Sequence, residues 1–307
     1  MRSRPKPRSL VLLAVLLCLV GAAVTPRIRE TVRLAWGRHA SCPLTGIPGR
    51  PALAVDLEEG QRIADASEVV ESKDGFDLIK TRYGPYWVPT DNASTLGGVL
   101  AEEQRDPYSF RSCRVRSGDV VLDCGAHVGV FTRRALSYGA RMVVAIEPGP
   151  DNAECLRRNF AAEIKAGRVV VYPKGVWNED SWLELWGQGA GSSGYSVVLK
   201  DPHTHAIRVP LTSIDKLVGE LKLDRVDFIK MDIEGAERQA LAGAAETLRR
   251  FRPRMAISLE HIASDVDEIP KVVARYVQGL PVHCGPCIWL KNPNMDRFQP
   301  ETLFFGE

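Results

Sequence analysis

The sequence predicts an α/β domain on a mostly parallel sheet, with helices on both faces, from three observations. Short apolar runs over 119–124, 141–147, 226–231 and 254–259 have the length of buried strands, and each ends beside an acid. Segments of helical spacing separate them, at 128–138 and 150–162 between the first runs. The first run empties into the glycine turn Asp123-Cys124-Gly125-Ala126-His127-Val128-Gly129. Strands that alternate with helices imply parallel pairing and right-handed crossovers.

The chain opens on a different chemistry. Residues 1–9 carry Arg2, Arg4, Lys6 and Arg8, and 10–24 are almost wholly apolar. Fifteen helical residues span ~22 Å, short of a ~30 Å hydrocarbon core. Residues 1–25 therefore read as a short N-terminal anchor, or as a secretory signal with Gly21-Ala22-Ala23 as its cleavage region. Arg27, Arg29, Arg33 and Arg38 balance the basic start, so charge does not fix an orientation. Residues 26–55, rich in Pro, Gly and Arg, read as a linker.

A cap region over 56–118 follows, with a helix over 56–72, a hairpin over 76–88 and a helix over 96–104. The main α/β domain is expected over 119–307. Its helix at 128–138 stops at Gly139, a suitable C-cap. After a strand at 168–173, the stretch 174–209 is irregular. It holds Trp177, Trp182, Trp186 and a glycine run over 187–194, with short strands expected at 181–185, 196–199 and 207–209. The glycine run reads as a hairpin tip, or alternatively as a substrate-covering loop. Thr212 or Ser213 caps a short helix. Helices over 236–251 and 267–277 and final strands over 281–289 and 302–305 complete the domain.

Composition narrows the partners. Lys plus Arg number 40 against 38 Asp plus Glu, a net charge of +2 that implies no basic face, so nucleic acid is not expected. The seven cysteines are odd in number and irregularly spaced, which argues against a disulfide framework. Cys284-Gly285-Pro286-Cys287 leads into a strand-like run rather than a helix, so it reads as a hairpin loop and not as a redox or metal motif.

The candidate site lies at the strand ends. In an open α/β sheet, ligands bind outside the carboxyl ends of the strands. Asp123, Glu147, Asp232 and Glu260 all fall there. Glu147, ~20 residues past the glycine turn, holds the position that binds ribose hydroxyls in a βαβ unit. His127 stands where a dinucleotide turn needs its second glycine, which disfavours a pyrophosphate ligand. The segment Lys230-Met231-Asp232-Ile233-Glu234-Gly235-Ala236-Glu237 crowds ionisable groups at a strand-to-helix junction. Glu237, in the first helical turn, either joins that site or opposes the helix dipole.

Asp123 to Gly129, Glu147-Pro148, Thr212 to Asp215 and Ile229 to Glu237 together resemble the FkbM-type methyltransferases, over roughly residues 95 to 260. The resemblance implies a Rossmann-like seven-stranded sheet with its last strand antiparallel, and S-adenosylmethionine as cofactor. It implies transfer of a methyl group to a hydroxyl of a carbohydrate, lipid or secondary metabolite. Asp123 and Gly125, with Ala126 and Gly129 in the same turn, would hold the methionine part. Glu147 and Pro148 would meet the ribose, Gly175-Val176 would lie near the adenine, and Asp232 near the methyl group. Asp232, Glu234 or His261 could serve as base. Metal-independent catalysis is favoured, although the two carboxylates with His261 offer ligands for a divalent ion. A cofactor made in the cytosol favours a tethered catalytic domain facing the cytosol, with a secreted form as the alternative. A nicotinamide-dependent oxidoreductase and a tethered, non-catalytic binding protein are the competing readings.

Overall fold

The computed structural model describes residues 32, 34, 35, 37–43, 50–187, 205–292 and 295–307. The cap begins inside the stretch read as linker. Helix α1 (Ala52–Asp65) buries Asp56, Gly60 and Ile63 along one stripe. Three antiparallel strands follow, β1 (Glu68–Lys73), β2 (Phe76–Thr81) and β3 (Gly84–Pro89). The hairpin expected over 76–88 is present. The helix expected over 56–72 is instead α1 followed by β1, because Val69 and Val70 suit a strand and β1 finds a pairing partner in β2. Helix α2 (Leu96–Gln104) closes the cap.

The rest of the chain alternates as expected: β4 (Val120–Cys124), α3 (Val130–Ser137), β5 (Met142–Ile146), α4 (Pro150–Asn159), α5 (Ala161–Lys165) and β6 (Val169–Tyr172). A small sheet interrupts, built from β7 (Gly175–Trp177), β8 (Ser181–Gly187) and β9 (His205–Ser213). Helix α6 (Ile214–Glu220) then starts at Ser213, whose hydroxyl accepts the Lys216 amide. Strand β10 (Phe228–Met231) leads to α7 (Glu237–Ala242) and α8 (Ala245–Phe251). These two helices replace the single helix expected over 236–251. Asp215 explains the break, since its carboxylate accepts the Glu246 and Thr247 amides and caps a fresh helix there. Strand β11 (Arg254–Ser258), α9 (Asp265–Ala274) and β12 (Val282–Cys284) follow, then the hairpin β13 (Cys287–Asn292) and β14 (Met295–Pro300), and β15 (Thr302–Phe305). The expected strand over 281–289 is thus divided between β12 and β13, and β14 was not foreseen.

The seven-stranded sheet has the order β12-β15-β11-β10-β4-β5-β6. The one reversed strand is β15, antiparallel to β11 and β12 on either side, and the pairs from β11 to β6 are all parallel. Strand alternation divides the core between the two faces. Leu122, Val144, Ile229, Met255 and Phe305 join one buried cluster. Val121, Val143, Phe228, Ala256 and Phe304 join the other. This is a mostly parallel α/β sheet covered on both sides.

Two of the cysteines, expected to stay outside any disulfide framework, are joined. Cys42 and Cys287 form a disulfide 245 residues apart in sequence, while Cys284 is free. Spacing could not reveal it, because the partners meet only after β13 is laid beside the segment that precedes the cap. There Leu34, Cys42, Trp289 and Phe298 form a buried satellite core. Cys42→Ser is expected to cost about 2–4 kcal/mol, read as a lower midpoint in urea that reducing agent reproduces in the wild type. Residues 1–25, the strand expected at 196–199 and positions 188–194 of the glycine run lie outside the described residues. Among the described residues no helix is long and apolar enough to cross a membrane.

Candidate active site

The carboxyl ends of β4, β5, β10 and β11 open on one cavity of about 770 Å³, roofed by α1, α2 and β13. Gly125, Ala126, Glu147, Pro148, Gly175, Val176, Asp232, Glu234 and His261 all line it. Asp123 and Gly129 do not.

The two absentees have their own work. Gly129 caps α3 with φ of 95°, and a Cβ there would collide with Phe160 and Leu156. Packing and a left-handed backbone dictate this glycine. Asp123 is fully buried one layer behind the wall. Its carboxylate accepts the Thr132 hydroxyl at 2.6 Å and faces the Lys230 ammonium at 3.4 Å. Lys230 in turn donates to the Gly125 carbonyl at 2.8 Å. Asp123 thus reaches the cavity wall through Lys230. At Gly125 φ is 81°, and a Cβ would strike the backbone oxygen of Asp232. The β4 and β10 ends touch backbone to backbone at this point, which only glycine permits.

Glu147 is locked in place. One carboxylate oxygen accepts the His127 amide at 2.9 Å. The other accepts the Gly149 amide at 2.9 Å. Burial raises its pKa, against the pull of these backbone donors. The Asn152 side-chain amide adds a third donor at 3.4 Å, and of about four lone-pair sites on a carboxylate one is left for a ligand in the cavity.

At the end of β10, Asp232 accepts the Tyr108 hydroxyl at 2.8 Å and faces Lys230 at 3.9 Å. Its other oxygen lies 3.5 Å from His261, which is also 3.5 Å from Glu234. The opposite ring nitrogen of His261 meets Glu237 at 3.1 Å. Glu237 is fully buried and also accepts the Ile233 amide. It therefore belongs to the site's scaffold and does more than oppose a dipole. Burial lowers the His261 pKa, but the hydrogen bond it donates to Glu237 and the charges of Glu237, Glu234 and Asp232 carry it well above its usual value. Burial alone would raise Asp232, yet Lys230, His261 and Tyr108 hold it below the ordinary carboxylate range. Burial pushes Glu234 up to about 7, with His261 opposing and Asp232 assisting.

Glu260, expected at a strand end, also lines the wall, and Glu102 and Tyr108 join it without having been foreseen. Glu102 is raised well above its usual value and Glu260 to about 8, first by burial and then by neighbouring carboxylates. Tyr108 comes from a loop with no motif. Lys230 carried a signal, a lysine within an apolar strand, but nothing to say what it holds. At neutral pH Glu260, with its pKa at about 8, holds its proton, and it can donate as well as accept a hydrogen bond. Among the described residues no group of three or more His, Cys, Asp or Glu side chains has a metal-holding arrangement.

Residues 123–278, about half of the chain, match the model of the methyltransferase FkbM domain. The chain belongs to the FkbM methyltransferase family. A relative from Beauveria bassiana named methyltransferase 1 is 27% identical over 143 residues, covering 40% of this chain and 57% of that protein. The 2-O-methyltransferase NoeI of Sinorhizobium fredii is 27% identical over 156 residues, covering 43% and 60%. The chain thus spans just over half the length of these curated relatives. A crystal structure of an FkbM methyltransferase from Methylobacillus flagellatus superposes with a TM-score of 0.46 at 19% identity, over 82% of this chain and 59% of that one. Nothing in the family match supports the nicotinamide or the non-catalytic reading.

Proposed function

We propose that this chain is an S-adenosylmethionine-dependent O-methyltransferase acting on a hydroxyl of a carbohydrate, lipid or secondary metabolite. One observation carries the reading: within the FkbM segment, the glycine turn at Gly125-Ala126, the ribose-type acid Glu147 and the acid Asp232 line a single cavity. The fit to the cofactor is favourable on two counts. The Gly125 backbone lies flush at the wall, and Glu147 keeps an acceptor site free after binding the His127, Gly149 and Asn152 N–H groups. Glu147 would hold the ribose hydroxyls. Gly125 and Ala126 would meet the methionine part. Pro148, Gly175 and Val176 would border the adenine, and Asp232 the sulfonium. Asp123 acts through Lys230 as a positioning residue. The 2-O-methyltransferase among the relatives supports a hydroxyl acceptor without naming one.

The bound cofactor supplies an activated methyl group. The chain's own task is to aim an acceptor oxygen along the S–CH3 bond and to take its proton. Glu234 would accept the proton that the acceptor hydroxyl gives up. Asp232 and Glu237 hold His261 beside it.

S-Adenosylhomocysteine binding by calorimetry tests the cofactor, and transfer of labelled methyl groups into a cell extract tests the reaction. An absence of binding overturns the reading. Glu147→Ala is expected to weaken S-adenosylhomocysteine by about 1.5–3 kcal/mol, roughly ten- to hundredfold.

Residues 1–25 are proposed to tether the domain to a membrane. Their chemistry leaves the side open, and the Cys42–Cys287 disulfide weighs against the cytosolic face, since disulfides persist in oxidising compartments. Protease protection of membrane vesicles decides between the faces.

A further inference from the structure

We propose that the mouth of the cavity docks on a lipid bilayer and receives its acceptor, a membrane amphiphile, from there. The acceptor's identity rests on the methyltransferase reading, but the docking does not. Leu53, Leu57, Gln61 and Ala64 recur at helical spacing and form one stripe of α1. That stripe lines the cavity. Leu53 is 51% exposed and Leu57 60% exposed, so the apolar side of the stripe faces outward at the opening. From β13, Ile288 adds a further apolar side chain to the wall. Paired exposed leucines at the entrance of a site mark a surface for an apolar partner.

The polarity inside runs the other way. Glu102 and Glu260 line the interior together with Asp232 and Glu234. An amphiphile with a polyhydroxylated head and an apolar tail matches this gradient, head inward and tail at the leucines. A free sugar would leave the apolar entrance unused.

The chain itself leads toward a membrane. Leu34 is buried against Cys42, Trp289 and Phe298, so the disulfide and this small core pin the chain to the hairpin that carries Ile288. The apolar stretch 10–24 ends ten residues before Leu34. Ten extended residues reach at most ~35 Å. An inserted 10–24 segment therefore leashes this edge of the domain within about one bilayer thickness of the lipid surface. Arg27, Arg29 and Arg33 fall within the leash and would meet anionic headgroups.

The test uses the full chain reconstituted in vesicles of phosphatidylcholine and phosphatidylglycerol that contain a diazirine-tailed phosphatidylcholine. After irradiation, mass spectrometry is expected to find lipid adducts on residues 51–65. In the double variant Leu53→Glu/Leu57→Glu the yield there is expected to drop at least fivefold, with adducts on 1–31 unchanged and S-adenosylhomocysteine affinity retained. Adducts confined to 1–31, or crosslinks from 51–65 to a second copy of the chain in place of lipid, would overturn the docking proposal. The single variants Leu53→Gln and Leu57→Gln repeat the test should the double variant fail to fold. Calorimetry separates the two ideas. Adducts on 51–65 without S-adenosylhomocysteine binding sustain the docking and sink the methyltransferase reading, and the reverse pattern does the opposite.

Discussion

Lys230→Met is expected to lower folding stability by about 3–5 kcal/mol, the cost of removing one partner from a buried ion pair. Lys230 is 4% exposed and the Asp123 it faces is fully buried. Burial works against the ammonium, but Asp123, Asp232 and Glu103 together raise its pKa, so the charge is kept. Methionine has about the right length and none of the charge. It would strand the Asp123 carboxylate with Thr132 as its remaining side-chain donor, and it would free the Gly125 carbonyl. Arginine is no remedy, because a planar fork does not fit a space shaped for a compact ammonium. Urea unfolding of Lys230→Met and of the double variant Lys230→Met/Asp123→Asn checks the cause. If the loss stems from a stranded carboxylate, the double variant recovers part of it. Equal stability in the two variants would assign the loss to packing alone.

Lys230 also shows where sequence reading stopped. The alternation of apolar strands and helices, the glycine turn and the strand-end acids were legible, because period and turn chemistry are local properties. They were enough for the sheet, for its two-faced core and for the wall formed by Gly125, Glu147 and Asp232. Asp123 and Gly129 were legible as members of a motif, but not as residues that act from behind the wall. That distinction depends on Lys230 standing between Asp123 and the cavity, and on Phe160 filling the space beside Gly129. Tyr108 was invisible, since a loop residue more than a hundred positions from Asp232 leaves no trace in spacing. The break between α7 and α8 was hidden for the same reason, because the capping Asp215 is supplied from another helix. The Cys42–Cys287 bond was hidden by distance in the chain.

Replacing Glu234 by glutamine is expected to lower kcat by about 10²–10⁴-fold, the usual worth of a positioned proton acceptor. Three groups compete for that role, and their ionisation separates them. His261 is held well above its usual pKa, so at neutral pH it already carries its proton. Asp232 is held below the carboxylate range, so it is ionised but a weak base. Glu234, at about 7, is the one whose basicity matches the working pH. The sign follows directly. Below about pH 7 Glu234 is protonated and cannot accept, so kcat/KM should fall about tenfold per unit of acidification, with a plateau above. Folding stability moves in the opposite sense. The unfolded carboxyl ionises near 4.5, so this group's contribution declines as pH rises from there to 7. The local backbone supports a functional reading of the same residue. Glu234 sits at φ of 57°, a left-handed conformation that a side chain adopts only when its surroundings impose it. Glu234→Gln should remove the acid limb of the profile while S-adenosylhomocysteine affinity stays within threefold. A variant that keeps the acid limb with a kcat near wild type would move the base to His261, with proton release from the imidazolium as the step to measure next.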